Sequence, residues 1–166
     1  MSLAAYRINR DAQDLLCVVV GLGLVGKAVS AKLAQFLPSV ENDSFKQVDW
    51  AHSDDLVQKI KSIAPSSELA TKSRLELIWC AGKGGFGADE AQMKREYQFY
   101  SKVIESLFEL YADNLTVNFL SSAGGLYENS GYVESLDDIS PVRPYATYKL
   151  KHEQRLVQMG VRHRAY

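Results

Sequence analysis

The chain has 166 residues, of which 46% are hydrophobic and 23% charged, so it is long enough to bury the core of one domain. With 19 basic and 20 acidic residues and no run of Lys or Arg, it lacks the basic stripe typical of nucleic-acid binding. No apolar run approaches the roughly 20 residues of a membrane span, and Met1 to Asp14 is polar, so we expect a cytoplasmic protein.

The first part of the chain predicts an extension, a strand, a glycine turn and a helix, in that order. We assign residues 1–14 to the N-terminal extension and residues 15–166 to one domain. Leu15 to Val20 is a continuous apolar run, typical of a parallel strand buried on both faces. From Leu24 the apolar residues change to helical spacing, which Pro38 ends.

The rest of the chain repeats this alternation of strands and helices. Phe45 to Trp50, Leu75 to Cys80 and Leu115 to Leu120 predict strands. A long helix is predicted from about Asp89 to Tyr111, and a last one from Pro144 to about Gln158. Such alternation indicates a doubly wound parallel α/β sheet with a ligand site at the carboxyl ends of its strands.

A glycine motif lies between the first predicted strand and its helix. Residues 21–26 read Gly-Leu-Gly-Leu-Val-Gly, and this context is the one that a dinucleotide fingerprint requires. There Gly21 makes the tight turn, Gly23 lets pyrophosphate approach the backbone, and Gly26 lets helix and strand pack closely. Because the phosphates lie on the helix N-terminus, Leu24 and Val25 join these glycines as predicted cofactor contacts. The alternative is a glycine turn with a structural role only.

Tyr145 and Lys149 stand four residues apart, which places a phenol and an ammonium group on one face of the last helix. Their meaning depends on two surrounding stretches, residues 117–127 (VNFLSSAGGLY) and residues 140–153 (SPVRPYATYKLKHE). In order and spacing these stretches resemble the extended short-chain dehydrogenases/reductases, especially nucleotide-sugar epimerases and dehydratases, which have the Rossmann fold. Residues 77–82 are similar to the fourth strand of that family, whose end passes the cofactor ribose.

The resemblance implies an oxidoreductase-type reaction that uses NAD or NADP, with NAD slightly preferred. Tyr145 would take or return a hydroxyl proton while hydride moves between the substrate carbon and the nicotinamide. Lys149 would favour the phenolate and hold the nicotinamide ribose. We assign Ser122, rather than Ser121, to bind the reacting oxygen, although Ala123 occupies the family's usual Ser or Thr position.

The implied cofactor site also includes residues from the ends of other strands. Ala81 and Gly82 are expected beside the ribose. The segment between Gly26 and Asp49 is short, so we expect the second strand to be trimmed or missing, which leaves the ribose-binding acid without a certain counterpart. Asp49 and Trp50 would then lie beside adenine.

The family's sugar-binding domain is built mainly from residues beyond the Tyr145 helix, so we expect the chain to lack most of it. The expected partner is a small-molecule substrate, possibly a nucleotide sugar, and no nucleic acid or membrane. Relatives commonly dimerise through the helices that begin near Asp89 and Pro144, so a homodimer is expected. The three histidines lack the spacing of metal ligands, and no metal is predicted.

Two other functions stay open. Ala123 and the short second-strand region favour a non-catalytic NAD(P)-binding module. An NAD(P)-dependent reductase of a small carbonyl compound would tolerate a smaller substrate site than a nucleotide sugar needs. Phe86 and Lys83, in the glycine-rich loop after the Leu75 strand, are additional candidates for ligand contact.

Overall fold

The computed structural model describes residues 1–10, 13–40, 48–63, 73–135 and 138–166. In these ranges the strands are β1 (Leu3–Arg10), β2 (Gln13–Val20), β3 (Ser39–Val40), β4 (Arg74–Trp79), β5 (Leu115–Phe119) and β6 (Arg162–Ala165). The helices are α1 (Leu24–Leu33), α2 (Ser53–Ile63), α3 (Glu90–Tyr111), α4 (Ala123–Leu126) and α5 (Pro144–Gln158). A 3-10 turn, Ala112–Asn114, connects α3 to β5.

The strands form a sheet in the order β3-β1-β2-β4-β5-β6. Neighbours from β2 to β6 are parallel, which confirms the predicted doubly wound α/β sheet. Every residue of β5 is buried, as expected for a central parallel strand covered on both faces. Apolar residues of α2, α3 and α5 pack in one core cluster with alternate strand residues, and those of α1 pack in a second cluster. The carboxyl ends of β2, β4 and β5 therefore meet at one edge.

The segment assigned to an N-terminal extension forms a strand of this sheet. In β1, Leu3 pairs with Val20 and Arg10 pairs with Gln13, so the strand runs antiparallel to β2. Leu3, Ala5 and Tyr6 are buried. The sequence did not indicate this strand, because small and polar residues dominate β1. The strand is held in place by its pairing with β2 and not by its own apolar content.

The chain crosses from β2 through α1 to β3, which pairs antiparallel with β1 and so runs in the same direction as β2. β1 thus lies between β2 and β3, two strands that the predicted β-α-β crossover would place side by side. The described part of this second parallel strand has two residues, Ser39 and Val40. Of the strand predicted over Phe45 to Trp50, residues 45–47 lie outside the described residues, and residues 48–50 are not in a strand. Val48 instead exchanges two backbone hydrogen bonds with Met1, at 2.7 and 2.8 Å.

Within the described ranges, no helix combines the length and apolar character needed to cross a membrane. The same part of the chain contains no group of three or more His, Cys, Asp or Glu side chains placed to hold a metal ion.

Candidate active site

The three glycines of the turn after β2 have different surroundings. Gly21 has a φ of 90°, and a Cβ there would lie 2.5 Å from the Ala81 Cα. A Cβ on Gly26 would lie 1.9 Å from the Gly21 carbonyl oxygen, so a side chain would push α1 away from the turn. A Cβ on Gly23 would have no neighbouring heavy atom within 4 Å. The first and third glycines thus permit close packing, while the second borders open space.

The N-terminus of α1 is exposed beside this turn. Gly23 is the N-cap, and because glycine has no side chain, no side-chain hydrogen bond caps this end of the helix. The first bond of the helix runs from the Lys27 N–H to the Gly23 oxygen at 3.0 Å, so the N–H groups ahead of Lys27 have no partner within the helix. Leu24 is 91% exposed and Val25 is also exposed. Free N–H groups and the helix dipole make such an end a site for anions.

Ala81 and Gly82 follow β4 and lie next to the turn. The Cys80 N–H donates to the Val20 oxygen at 2.9 Å, which continues the pairing of β2 and β4 up to the turn. Ala81 is the residue against which Gly21 packs. Residues 82–87, which we call the glycine loop, then lead towards α3 and carry four glycines. A ligand that lies on Gly23 would thus also meet the start of the glycine loop.

Asp49 and Trp50 line a cavity of about 530 Å³ between the segment before α2 and the first turns of α3. Lys83 of the glycine loop also lines this cavity, together with Ala51, Gln92, Arg95 and Glu96. The Asp49 carboxylate accepts the Ala51 N–H at 2.9 Å and contacts His52 Nδ1 at 3.2 Å. The hydrogen bond from Ala51 is the main cause that lowers the pKa of Asp49. The cavity has the size of ordinary small-molecule sites.

Tyr145 and Lys149 lie in the first two turns of α5, which begins at Pro144. The Lys149 Nζ is 5.7 Å from the centroid of the Tyr145 ring and donates to the Leu120 oxygen, just after β5, at 2.7 Å. Burial lowers the pKa of Lys149 to about 8, while the charges of Glu96, Cys80 and Glu153 act in the opposite direction. Lys149 therefore carries its charge at neutral pH, close to the phenol ring.

The two serines after β5 are engaged differently. Ser122 is the N-cap of α4, and its Oγ accepts the Gly125 N–H at 3.3 Å. Its hydroxyl proton is therefore available to another acceptor. The Ser121 hydroxyl instead donates to the Glu153 carboxylate. Ala123, at the family's usual Ser or Thr position, is the exposed first residue of α4.

His152 lies one residue before Glu153 but is buried among aromatic rings. It stacks on Phe119, with centroids 5.2 Å apart and planes inclined by 12°, and its Nδ1–H donates to the Tyr148 oxygen. Burial lowers the pKa of His152 to about 4. The ring is therefore neutral at physiological pH and buried away from a substrate, so His152 is not a candidate for proton transfer.

Several contacts near Tyr145 could not be predicted from the sequence. The Phe86 ring lies 5.4 Å from the Tyr145 ring, and the Arg143 guanidinium lies 5.1 Å from the Phe86 centroid. Glu96 accepts two N–H groups of the glycine loop. Phe86 is a candidate because it lies in a glycine-rich loop, but no local pattern indicates Glu96, because its partners are 12 and 13 residues away.

No family model and no curated protein matches the chain. Solved structures do match it. RMD from Pseudomonas aeruginosa, in complex with NADPH, gives a TM-score of 0.62 at 22% identity over 93% of this chain and 53% of its own. UDP-glucose 4-epimerase from Brucella ovis, in complex with NAD, gives a TM-score of 0.62 at 20% identity over 93% of this chain and 51% of its own. MlghC, a GDP-mannoheptose C4 reductase from Campylobacter jejuni with NADP bound, gives a TM-score of 0.63 at 14% identity over 95% of this chain and 51% of its own.

The chain thus spans about half the length of these solved structures. At such identities the likeness is one of fold, and this fold agrees with the one that the resemblance to the extended short-chain dehydrogenases/reductases implies. The chain has the fold of about half of each of these NAD(P)-bound structures.

Proposed function

We propose that the chain binds NAD(P) and serves an enzyme that oxidises or reduces a nucleotide sugar, with Tyr145 as the acid/base. The observation that carries this proposal is the meeting of two features at one edge of the sheet. The glycine turn follows β2, and Lys149 is bound to the residue after β5, beside Tyr145. Parallel strands place both features at their carboxyl ends, where ligands of doubly wound sheets bind.

The described residues fit the dinucleotide. A side chain would fill the space at Gly21 and Gly26, whereas Gly23 is open beside the exposed end of α1. The pyrophosphate would lie there on the N–H groups of Leu24 and Val25. Ala81, Gly82 and Lys149 would hold the nicotinamide ribose, and Asp49 and Trp50 would border adenine in their shared cavity. When bound, the nicotinamide ring accepts or donates the hydride of an oxidation or reduction.

The choice between the two dinucleotides is a separate part of the proposal. We favour NAD slightly, as the resemblance implies. Structural neighbours were solved with either form: RMD with NADPH, the epimerase with NAD and MlghC with NADP.

The acid/base chemistry rests on the Tyr145 Oη. In oxidation it takes the proton of a substrate hydroxyl, and in reduction it returns that proton to the new alkoxide. The charged Lys149 Nζ, near the ring, stabilises the phenolate that takes the proton in oxidation and that is left again after reduction. The Ser122 hydroxyl can donate to the same substrate oxygen while its own oxygen caps α4. We keep Ser122 for this role because the Ser121 hydroxyl is already engaged by Glu153.

A nucleotide sugar is the substrate class that the neighbours suggest, since one is a UDP-glucose 4-epimerase and another a GDP-mannoheptose C4 reductase.

One observation favours a second function, a non-catalytic NAD(P)-binding module. Ala123 leaves no hydroxyl at the family's usual position, and the nearest replacement, Ser122, is already a helix cap. The second function predicts dinucleotide binding without turnover. In either function we expect a homodimer through α3 and α5, by analogy with relatives.

The cofactor proposal is tested by calorimetric titration of the chain with NADH and NADPH, repeated for Gly23→Asp. Gly23 has φ −74°, which is ordinary for any residue, and Asp is a favourable N-cap, so the variant should fold normally. Its carboxylate would repel the pyrophosphate, and we expect the affinity to fall by about a hundredfold. Gly131→Asp, at another open glycine, introduces the same charge elsewhere and should bind like wild type. Equal affinity of all three proteins would place the dinucleotide elsewhere.

A further inference from the structure

The glycine loop (residues 82–87) is anchored by one side chain of α3. The Glu96 Oε1 accepts the Lys83 N–H at 2.9 Å and the Gly84 N–H at 3.0 Å. The Gln92 side-chain amide donates to the same oxygen at 3.4 Å. A Cβ on Gly82 would lie only 3.5 Å from the other carboxylate oxygen. A single carboxylate thus fixes two successive residues of the loop, Lys83 and Gly84, through hydrogen bonds that its charge strengthens.

The far end of the same loop covers Tyr145. The Phe86 and Tyr145 rings are 5.4 Å apart and inclined by 60°. On Phe86 lies the guanidinium of Arg143, 5.1 Å from the ring centroid, and the Arg143 Nε pairs with Glu128 at 2.6 Å. Phe86 remains 50% exposed, so its contact with Tyr145 forms a wall at the rim of the site and not part of the core.

The composition of the loop makes an anchor necessary. Four of its six residues are glycine, and glycine-rich backbone has many accessible conformations, so the loop has little preference of its own for the shape that brings Phe86 to Tyr145. The Ala88 N–H donates to the Gly85 oxygen at 2.9 Å, which closes the end of the loop but does not tie it to α3. Among the described hydrogen bonds, those that Glu96 accepts make this connection.

We propose that Phe86 screens the Tyr145 ring and limits the side from which a substrate can reach it, and that Glu96 is the positioning residue that holds Phe86 there. The proposal rests on the function proposed for Tyr145. It also narrows the substrate class. A molecule that reaches Tyr145 past this wall meets an aromatic face and the Arg143 cation, a pair that suits an apolar ring face next to an anionic group.

The screen is tested without cofactor or substrate, by nitrating the native chain with tetranitromethane and measuring the modification of each tyrosine by peptide mass spectrometry. Phe86→Ala uncovers the ring directly, and we expect Tyr145 to react several-fold faster once the wall is lost. Nitration of Tyr132, which is 82% exposed, is the internal reference for the activity of the reagent. Nitration of the fully buried Tyr100 reports any general unfolding.

The anchor is tested by Glu96→Ala and Glu96→Gln in the same assay. Glu96→Ala should accelerate nitration of Tyr145 about as much as Phe86→Ala does, whereas in Glu96→Gln the amide oxygen still accepts the loop N–H groups and nitration should stay within about twofold of wild type. Glu109→Ala, an exposed position on the same helix, should behave as wild type.

Three results would overturn the proposal. Unchanged nitration of Tyr145 in Phe86→Ala would mean that Phe86 does not screen the ring, and unchanged nitration in Glu96→Ala would mean that Glu96 does not hold it. Equal acceleration in Glu96→Gln and Glu96→Ala would show that the charge near Lys149, and not the loop, controls the phenol. A wild-type chain that binds no NAD(P)H while these rates change as expected would contradict the proposed function alone.

Discussion

Tyr145→Phe should lower the turnover of NAD(P)-dependent oxidation or reduction by about 10² to 10⁴-fold, the usual contribution of a general acid/base. The change removes only the Oη, and the ring that packs against Phe86 is kept. The affinity for NAD(P)H should therefore stay close to that of wild type. The measurement is the change of NAD(P)H absorbance with UDP- and GDP-linked 4-keto sugars, at saturating dinucleotide.

Tyr148→Phe is the matched control for this variant. Tyr148 lies on the same helix but is buried, with its ring 5.9 Å from Tyr97, and it has no part in the proposed chemistry. It should keep the wild-type rate. If Tyr145→Phe also kept that rate, the assignment of Tyr145 as acid/base would be wrong.

Gly26→Ala should destabilise the chain and weaken dinucleotide binding together. The added Cβ would lie 1.9 Å from the Gly21 oxygen and 2.9 Å from the Gly21 carbonyl carbon, both backbone atoms that no side-chain rotation can move aside. Either α1 or the turn must shift. We expect the free energy of unfolding to fall by about 2 to 3 kcal/mol, as for other overpacked sites. Urea denaturation followed by circular dichroism gives this value.

Gly23→Ala separates the packing effect from the ligand effect. A Cβ at Gly23 meets nothing within 4 Å, and Ala is only a poorer N-cap than Gly, so we expect the free energy of unfolding to fall by no more than about 1 kcal/mol. It should nevertheless bind NAD(P)H more weakly, because the methyl group stands where the pyrophosphate approaches. If Gly26→Ala were as stable as Gly23→Ala, the close contact between α1 and the turn would not exist in solution.

The elements that the sequence predicted well are those with strong local signals. The continuous apolar run of β2 and the glycine turn lie within a few residues of one another, and Pro144 begins α5 as its sequence position indicated. The four-residue spacing of Tyr145 and Lys149 is equally local, because a helix places such residues on one face. Periodicity and turn chemistry are sufficient for features of this kind.

The features that the sequence did not predict depend on distant partners. β1 is a strand because it pairs with β2 over eight residues, although polar Arg7 and small Ala4 and Ala5 weaken its own apolar pattern. Phe86 and Tyr145 are 59 positions apart in the sequence and meet only because β4 and β5 are neighbours in the sheet. Such contacts follow from topology, which a single sequence specifies only in outline.

NAD(P) binding across the ends of β2 and β4 is tested most directly by NMR of the ¹⁵N-labelled chain during titration with NADH and NADPH. We expect the largest amide shifts from Gly23 to Gly26 and from Ala81 to Lys83, while Gly131 and Gly160 remain unchanged. Absence of shifts at saturating dinucleotide, or shifts confined to the outer surfaces of α3 and α5, would contradict it.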